Sequence, residues 1–208
     1  MKAIPAKTIE RLIYYNRVLK NLKNQNTEFC FSHQLAGLAN NSAAQVRRDI
    51  MLIGYNGGSS GKGYNVDSLI AKISALLLSG KTHKAAVVGI GNLGRAILSF
   101  FSYRQPNIEI PIAFDSDETK TGRVISGCRC FHINDLYKEI TEQEITLGIV
   151  TVPALNAQEI VNELVDAGIK GILNFTPAVL RTPDDVFVED QDMIMSLEKL
   201  AYLTATTN

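Results

Sequence analysis

The 208-residue sequence has no apolar run approaching the roughly 18 residues that a membrane-spanning helix needs, so no such span is expected. Its opening residues, Met1-Lys2-Ala3-Ile4-Pro5, lack the apolar centre of a secretory leader, and none is expected there. With only three cysteines a paired disulfide framework is excluded, which points to a reducing, cytoplasmic setting. A surplus of one charge is also missing overall, since 21 Lys and Arg balance 21 Asp and Glu. The balance is uneven along the chain, however. Residues 1–84 hold 12 basic against 4 acidic side chains (12 − 4 = +8), and residues 85–208 hold 9 against 17 (9 − 17 = −8). A basic half joined to an acidic half is what a polyanion-binding module fused to a second unit would show. Apolar content of 46% and charged content of 20% are those of a globular chain, long enough for one large domain or two modest ones.

In the basic half, residues 5–24 read as a helix with Pro5 at its first position and an apolar stripe of Ile9, Leu12, Ile13, Leu19 and Leu22. Tyr14 and Tyr15 read as core, as does the Phe100-Phe101 pair of the acidic half. Ser32 is placed to cap a short second helix with Leu35, Ala36 and Leu38 inward, and Ala39-Asn40-Asn41 reads as a turn. A third helix starts at Ser42, where Ser42-x-x-Gln45 has capping-box spacing; Val46, Ile50 and Ile53 face inward, and Gln45, Arg47 and Arg48 outward. Two short helices around a tight turn, with arginines early in the second, form a helix-turn-helix whose second helix can enter a major groove. The competing reading is a three-helix bundle with a solvated basic face. Residues 54–63 are glycine-rich and fit either the tip of a β-hairpin wing, from which Lys62 would reach backbone phosphate, or a plain surface loop. A helix over 67–79, capped by Asp67 and ended by Gly80, then leads to the second half.

The acidic half opens on an apolar strand at 85–88, followed at once by Gly89-x-Gly91-x-x-Gly94 and a helix. In a dinucleotide-binding turn the first glycine permits the tight turn, the second admits the pyrophosphate and the third lets helix pack on strand. Gly89, Ile90, Gly91, Asn92, Leu93 and Gly94 are therefore the candidate cradle. A second strand at 110–114 ends in Asp115, 21 residues beyond Gly94, where an acid can accept both ribose hydroxyls; the alternative is a turn aspartate, a role Ser116-Asp117 could share. No arginine follows Asp115 directly, which favours NAD(H) over NADP(H). Further strands at 128–133, 145–152, 171–175 and 186–189 alternate with helices at 134–141, 154–167 and 193–204. That order predicts an α/β, doubly wound, mainly parallel sheet, with Thr151, Val152, Pro153, Asn174, Phe175 and Thr176 at the ligand-facing strand ends.

Cys128, Cys130 and His132 alternate along one strand, which spaces them roughly 6–7 Å apart. That is too far for one tetrahedral ion, so buried small residues are expected and no metal. A dehydrogenase needs a proton donor beside the nicotinamide, and none of the expected strand-end residues is one near neutral pH. No catalytic residue is assigned; binding without turnover fits better than an enzyme. Two rival readings remain, a small NAD-dependent reductase and a regulator of another nucleotide such as a CoA derivative.

Across essentially all 208 residues the chain resembles the Rex redox-sensing transcriptional repressors. The matching segments are Ile4-Pro5 with Arg11-Leu12 and Tyr15, Gln45-Val46-Arg47-Arg48-Asp49, Gly63-Tyr64-Asn65-Val66, residues 88–94, Ala113-Phe114-Asp115, Thr151-Val152-Pro153-Ala154 and residues 167–175. The resemblance implies a homodimer with an N-terminal winged helix-turn-helix domain (residues 1–80) and a C-terminal Rossmann domain (81–192). A swapped C-terminal helix (193–208) is implied to pack on the partner subunit. It implies repression at a palindromic operator when NAD⁺ prevails and release when NADH accumulates. Ser42, Gln45, Arg47, Arg48, Lys62 and Tyr64 would face DNA, and Arg17 and Asp192 would pair across the dimer. Three features depart from the family's pattern. Met51-Leu52-Ile53-Gly54 replaces S-Y-F-G, Ser59-Ser60-Gly61-Lys62 replaces a basic wing, and Phe100 replaces a tyrosine.

Overall fold

The structure, a computed structural model, describes residues 4–59, 61–78, 82–103 and 108–205. The chain divides into two compact units, Met1–Lys81 and Thr82–Asn208. Among the described residues no helix is long and apolar enough to cross a membrane.

The first unit runs α1 (Ala6–Asn24), β1 (Phe29–Cys30), α2 (Ser32–Leu38), α3 (Ala43–Leu52), β2 (Gly58–Ser59), β3 (Gly63–Asn65) and α4 (Val66–Leu78). Its strands form an antiparallel sheet in the order β1-β3-β2, so the glycine-rich segment is the wing of a winged helix-turn-helix. Fully buried Leu12, Tyr15, Leu19, Leu35, Val46, Leu69 and Ile73 join all four helices in one core.

Several local readings are corrected. Pro5 stands just before α1, at its cap position, rather than inside the helix. The buried stripe of α1 is Thr8, Leu12, Tyr15, Asn16 and Leu19, while Ile9 and Ile13 are 37% and 40% exposed. Periodicity ranks isoleucine above threonine and asparagine, but Arg11 donates to the Thr8 hydroxyl and Asn16 to the Ser74 hydroxyl, so both can be buried, and Tyr15 is in the core as expected with its hydroxyl on Asp49. Tyr14 is exposed, as is Leu38, whose expected inward place is taken by Ala39. Ser32 is the first residue of α2 and does not cap it; the Phe31 N–H donates to the Gln34 side chain instead. At α4 the Ser68 N–H donates to Asn65, which displaces Asp67 as the cap, and Asp67 pairs with Lys23 on the surface. The expected stop at Gly80 lies outside the described residues.

The second unit contains β4 (His83–Val88), α5 (Asn92–Tyr103), β5 (Ile108–Asp115), β6 (Val124–Ile125), β7 (Cys128–His132), α6 (Leu136–Glu142), β8 (Leu147–Val150), α7 (Ala154–Asp166), β9 (Gly171–Asn174), β10 (Phe187–Asp190) and α8 (Met193–Ala205). The sheet order is β10-β9-β8-β4-β5-β7-β6, parallel throughout except for β6 against β7. This is a Rossmann-type sheet with helices on both faces. Successive strand residues alternate between them: Ala86, Val88, Phe114 and Val150 pack with Leu164 of α7, and Ala85, Val87, Ala113 and Ile149 pack with Ile97 and Leu98 of α5. Gly168, at φ +103°, ends α7 in the left-handed conformation. Of the Phe100-Phe101 pair expected in the core, Phe100 is half exposed.

A buried ionic network ties α1 to α3. Asp49, 2% exposed, accepts from Arg11 Nε and Nη2 at 2.7 and 2.8 Å, from the Tyr15 hydroxyl at 3.1 Å and from Gln45 Nε2 at 2.9 Å. Burial opposes ionisation of Asp49, but the hydrogen bonds from Arg11, Gln45 and Tyr15 outweigh it and hold the carboxyl below its usual range. Burial first, and then Asp49, push the Tyr15 phenol up to about 12. A depressed folded pKa means that this stabilisation is present above the unfolded value, about 4, and is lost as pH falls through the folded value. Asp49→Asn should cost about 2–3 kcal/mol at pH 7, because it leaves Arg11 without its counter-charge. Hydrogen exchange of the α1 and α3 amides measures this, and the gap to the unaltered chain should close as pH is taken below about 4.

Candidate functional site

The strand order reverses at β4, which has β5 on one side and β8 on the other. In a doubly wound sheet this switch point opens a crevice beyond the carboxyl ends of the strands, and the glycine turn lies there. Gly89 has φ +92°, and a Cβ on it would press on the Thr151 carbonyl. A Cβ on Gly91 would meet nothing within 4 Å, so the backbone is open on that side. A Cβ on Gly94 would collide with the Gly89 carbonyl oxygen, so α5 can start directly against the end of β4 only because Gly94 has no side chain. Ile90 is fully buried, whereas Asn92 is exposed and Leu93 half-buried at the start of α5, where backbone N–H groups have no intrahelical acceptor. The turn can therefore take an anion on free N–H groups at the positive end of a helix.

Side chains around the crevice hold its shape as much as they face it. The Thr151 hydroxyl reaches Gly89 O at 2.6 Å and Val88 O at 3.1 Å, tying the end of β8 to the glycine turn. Val152 is half-buried, and exposed Pro153 stands at the cap of α7. Asn174 and Thr176, expected to face a ligand, are instead consumed internally. Asn174 Nδ2 donates to Asp190 at 2.7 Å and to Ala178 O at 3.0 Å, and its oxygen accepts from the Thr176 N–H and hydroxyl. Both are buried, because β9 and β10 need this clamp where the chain turns away from the sheet. Phe175, between them, is half-buried with Leu93 and Phe101 on the α5 face of the sheet.

Asp115 ends β5 with its side chain 8% exposed. Its Oδ2 accepts from the Ile90 N–H at 2.7 Å and from Lys120 Nζ at 3.0 Å, and its Oδ1 from the Asp117 N–H at 2.9 Å. Burial opposes its charge, but the Asp117, Lys120 and Ile90 donors prevail and hold the carboxyl below its usual range. Lys120 lies outside the sequence expectation, which rests on the residue directly after the acid. A turn at residues 118–122 folds this lysine back, with the Lys120 N–H on Asp117 O at 2.9 Å. The only sequence signal was a lysine five positions beyond the acid.

Cys128 and Cys130 are buried on the α5 face, and burial, then Cys130, pushes the Cys128 thiol up to about 12. The His132 ring accepts the Asn134 N–H. Among the described residues no three His, Cys, Asp or Glu side chains converge to hold a metal ion.

In the first unit, Ser42 caps α3 by accepting the Gln45 N–H at 3.1 Å. The Gln45 side chain does not return to Ser42 as a capping box would; it runs forward to Asp49. Arg47 and Arg48 are exposed, the first touching the Ser32 hydroxyl and the second Ala44 O. Lys62 lies in the wing turn, 5.9 Å from the centre of the Phe29 ring. Tyr64 is half-buried edge-on against Tyr55, so it packs the wing's base more than it projects from it. Arg17 is exposed on α1; Asp192, in the other unit, caps α8 by accepting the Met195 N–H at 2.8 Å.

Residues 80–178 match the family described as CoA binding domain, and residues 3–50 match that described as "Putative DNA-binding protein N-terminus". The redox-sensing transcriptional repressor Rex of Lactobacillus acidophilus is 38% identical over 199 residues, covering 96% of this chain and 94% of its own. A Rex-family repressor, RSP, solved in complex with β-NAD⁺ and operator DNA, superposes with a TM-score of 0.91 at 30% identity, over 98% of this chain and 94% of that one. RSP in complex with β-NADH gives 0.84 over 98% and 95%. Near-complete coverage at this identity places the chain in the Rex family of redox-sensing transcriptional repressors.

Proposed function

We propose that this chain is a homodimeric repressor that holds a palindromic operator through α3 and the wing and releases it when NADH occupies the crevice at Gly89–Gly94. It is a regulator and not an enzyme, and it acts in the cytoplasm. The observation that carries the reading is the glycine turn itself: a backbone open at Gly91 and a helix seated on Gly94, in a chain whose relative was solved with NAD⁺ and operator and with NADH. Phosphates sit on the first N–H groups of α5, with Ile90, Asn92 and Leu93 lining the turn, and one ribose hydroxyl reaches Asp115, whose other acceptor positions are taken. Thr151, Val152, Pro153 and Phe175 wall the nicotinamide side, where a half-buried apolar ring suits the uncharged reduced form over the cationic oxidised one. Asn174 and Thr176 act behind them as a clamp that holds the ends of β9 and β10.

At the operator, Ser42, Gln45, Arg47 and Arg48 present the N-terminal half of α3 to the major groove, and Lys62 on the wing contacts phosphate. Tyr64 supports the wing from beneath. For NADH to clear the operator it must bind the DNA-free state of the dimer better than the DNA-bound one, since equal affinity would shift nothing. Arg17 and Asp192 bias that balance by pairing across the dimer.

The second subunit is supported by α8. Every one of its described residues is exposed, although its stripe of Met193, Leu197 and Leu200 is as apolar as a core helix, at 60%, 67% and 56% exposure. Such a surface is expected to be covered by another chain. Leu197→Asp together with Leu200→Asp should turn the dimer into a monomer in sedimentation velocity and weaken operator binding with it.

Operator-bound protein titrated with NADH, NAD⁺ and NADPH should be released by NADH at the lowest concentration; release by all three alike would overturn the redox reading. Arg48→Ala should weaken operator binding by about tenfold or more and lower its salt dependence while NADH binding stays intact. Gly94→Ala should do the reverse, abolishing the NADH response while operator binding persists, because the added methyl displaces the start of α5 from the Gly89 carbonyl.

A further inference from the structure

The carboxylate at the end of β5 does not stand alone, and the group beside it has no place in a simple ribose-hydroxyl site. Lys120 Nζ lies 3.0 Å from Asp115 Oδ2 and 3.5 Å from Asp117 Oδ2, with 22% of its side chain exposed. An ammonium therefore already sits where the adenosine ribose is expected, at the C-terminal end of the strand next to the glycine turn. A 2′-hydroxyl can add itself to Asp115, because a carboxylate has about four acceptor positions and this one uses three. A 2′-phosphate faces opposed effects: Lys120 attracts it, and the buried carboxylate repels it. With two carboxylates and one ammonium the cluster is net negative, so repulsion wins. Neutralising Asp115 alone would make the cluster neutral. It would leave Lys120 only Asp117, an exposed carboxylate whose other oxygen is taken by the Thr119 N–H and hydroxyl.

We propose that Lys120 is a latent receptor for an adenosine 2′-phosphate, and that Asp115, by engaging its ammonium, confines the crevice to dinucleotides with a free 2′-hydroxyl. The proposal rests on the NAD(H) reading of the glycine turn. It makes Lys120 a specificity-determining residue and gives Asp115 two roles, accepting the ribose hydroxyl and occupying the cation that would otherwise receive phosphate.

The test is calorimetric titration of the full-length chain with NADH and with NADPH, in the unaltered protein, in Asp115→Asn and in Asp115→Asn with Lys120→Gln. The unaltered chain should prefer NADH. Asp115→Asn should bind NADPH at least about tenfold more tightly than the unaltered chain does, as a freed charge-assisted contact to phosphate implies. The double variant should lose that gain. No gain in the single variant, or a gain that survives Lys120→Gln, would overturn the proposal. If the unaltered chain binds neither nucleotide, the NAD(H) reading itself fails, which is a different result. Should Asp115→Asn not fold by circular dichroism, Asp115→Ser, whose hydroxyl can still accept the Ile90 N–H, takes its place with the same two opposing outcomes.

Discussion

The contact on which the second unit depends is the approach of α5 to the end of β4, where Gly94 lies against the carbonyl of Gly89. No other residue type fits there, since any Cβ would occupy the space of a backbone oxygen that cannot move without disturbing β4. The same carbonyl is the acceptor for the Thr151 hydroxyl, so the end of β8 is tied to the same point. Helix α5 is thereby aimed at the crevice between the two strands, with its unsatisfied N–H groups turned toward it. The next residue in the turn, Ile90, gives its N–H to Asp115, which ties in the end of β5 as well. Three strand ends and one helix start meet in a few hydrogen bonds around six residues.

The first unit has an equivalent focus in Asp49. Arg11, Tyr15 and Gln45 approach it from as far as 38 positions away in the chain. Their hydrogen bonds fix how α3 lies on α1, and with it where Arg47 and Arg48 emerge. A buried carboxylate is costly unless it is fully paired, and this one takes four donated hydrogen bonds from three side chains. The arrangement is a rigid mount for the exposed basic surface of Arg47 and Arg48.

Much of this was legible in the residues. The glycine spacing, the strand before it and the alternation of strands with helices all depend on local patterning, and the sheet follows them. The glycine-rich segment was legible as a place where the chain reverses, while the pairing of β2 with β3 decided that it is a wing and not a plain loop. What could not be read were two of the two-residue strands, β1 and β6, too short to show any period, and part of the facing of α1, where partnered polar groups let Thr8 and Asn16 take core places that Ile9 and Ile13 do not. The resemblance, too, named Arg11, Tyr15, Gln45 and Asp49 as separate matches without saying that they meet.

The sequence by itself determined the two-part organisation, the sign of charge in each part, the dinucleotide turn with its acid one strand later, and the family. These are properties of neighbours in the chain and of composition, which no distant contact can change. Tertiary structure alone decided what each polar side chain does. It turned Asn174 and Thr176 inward as a clamp, committed Gln45 to Asp49, brought Lys120 back to Asp115, and left the apolar α8 uncovered. The physical reason is the range of the interaction. Backbone turns and periodic burial are set within a few residues, whereas a hydrogen bond or ion pair depends on which groups the fold brings within about 3 Å.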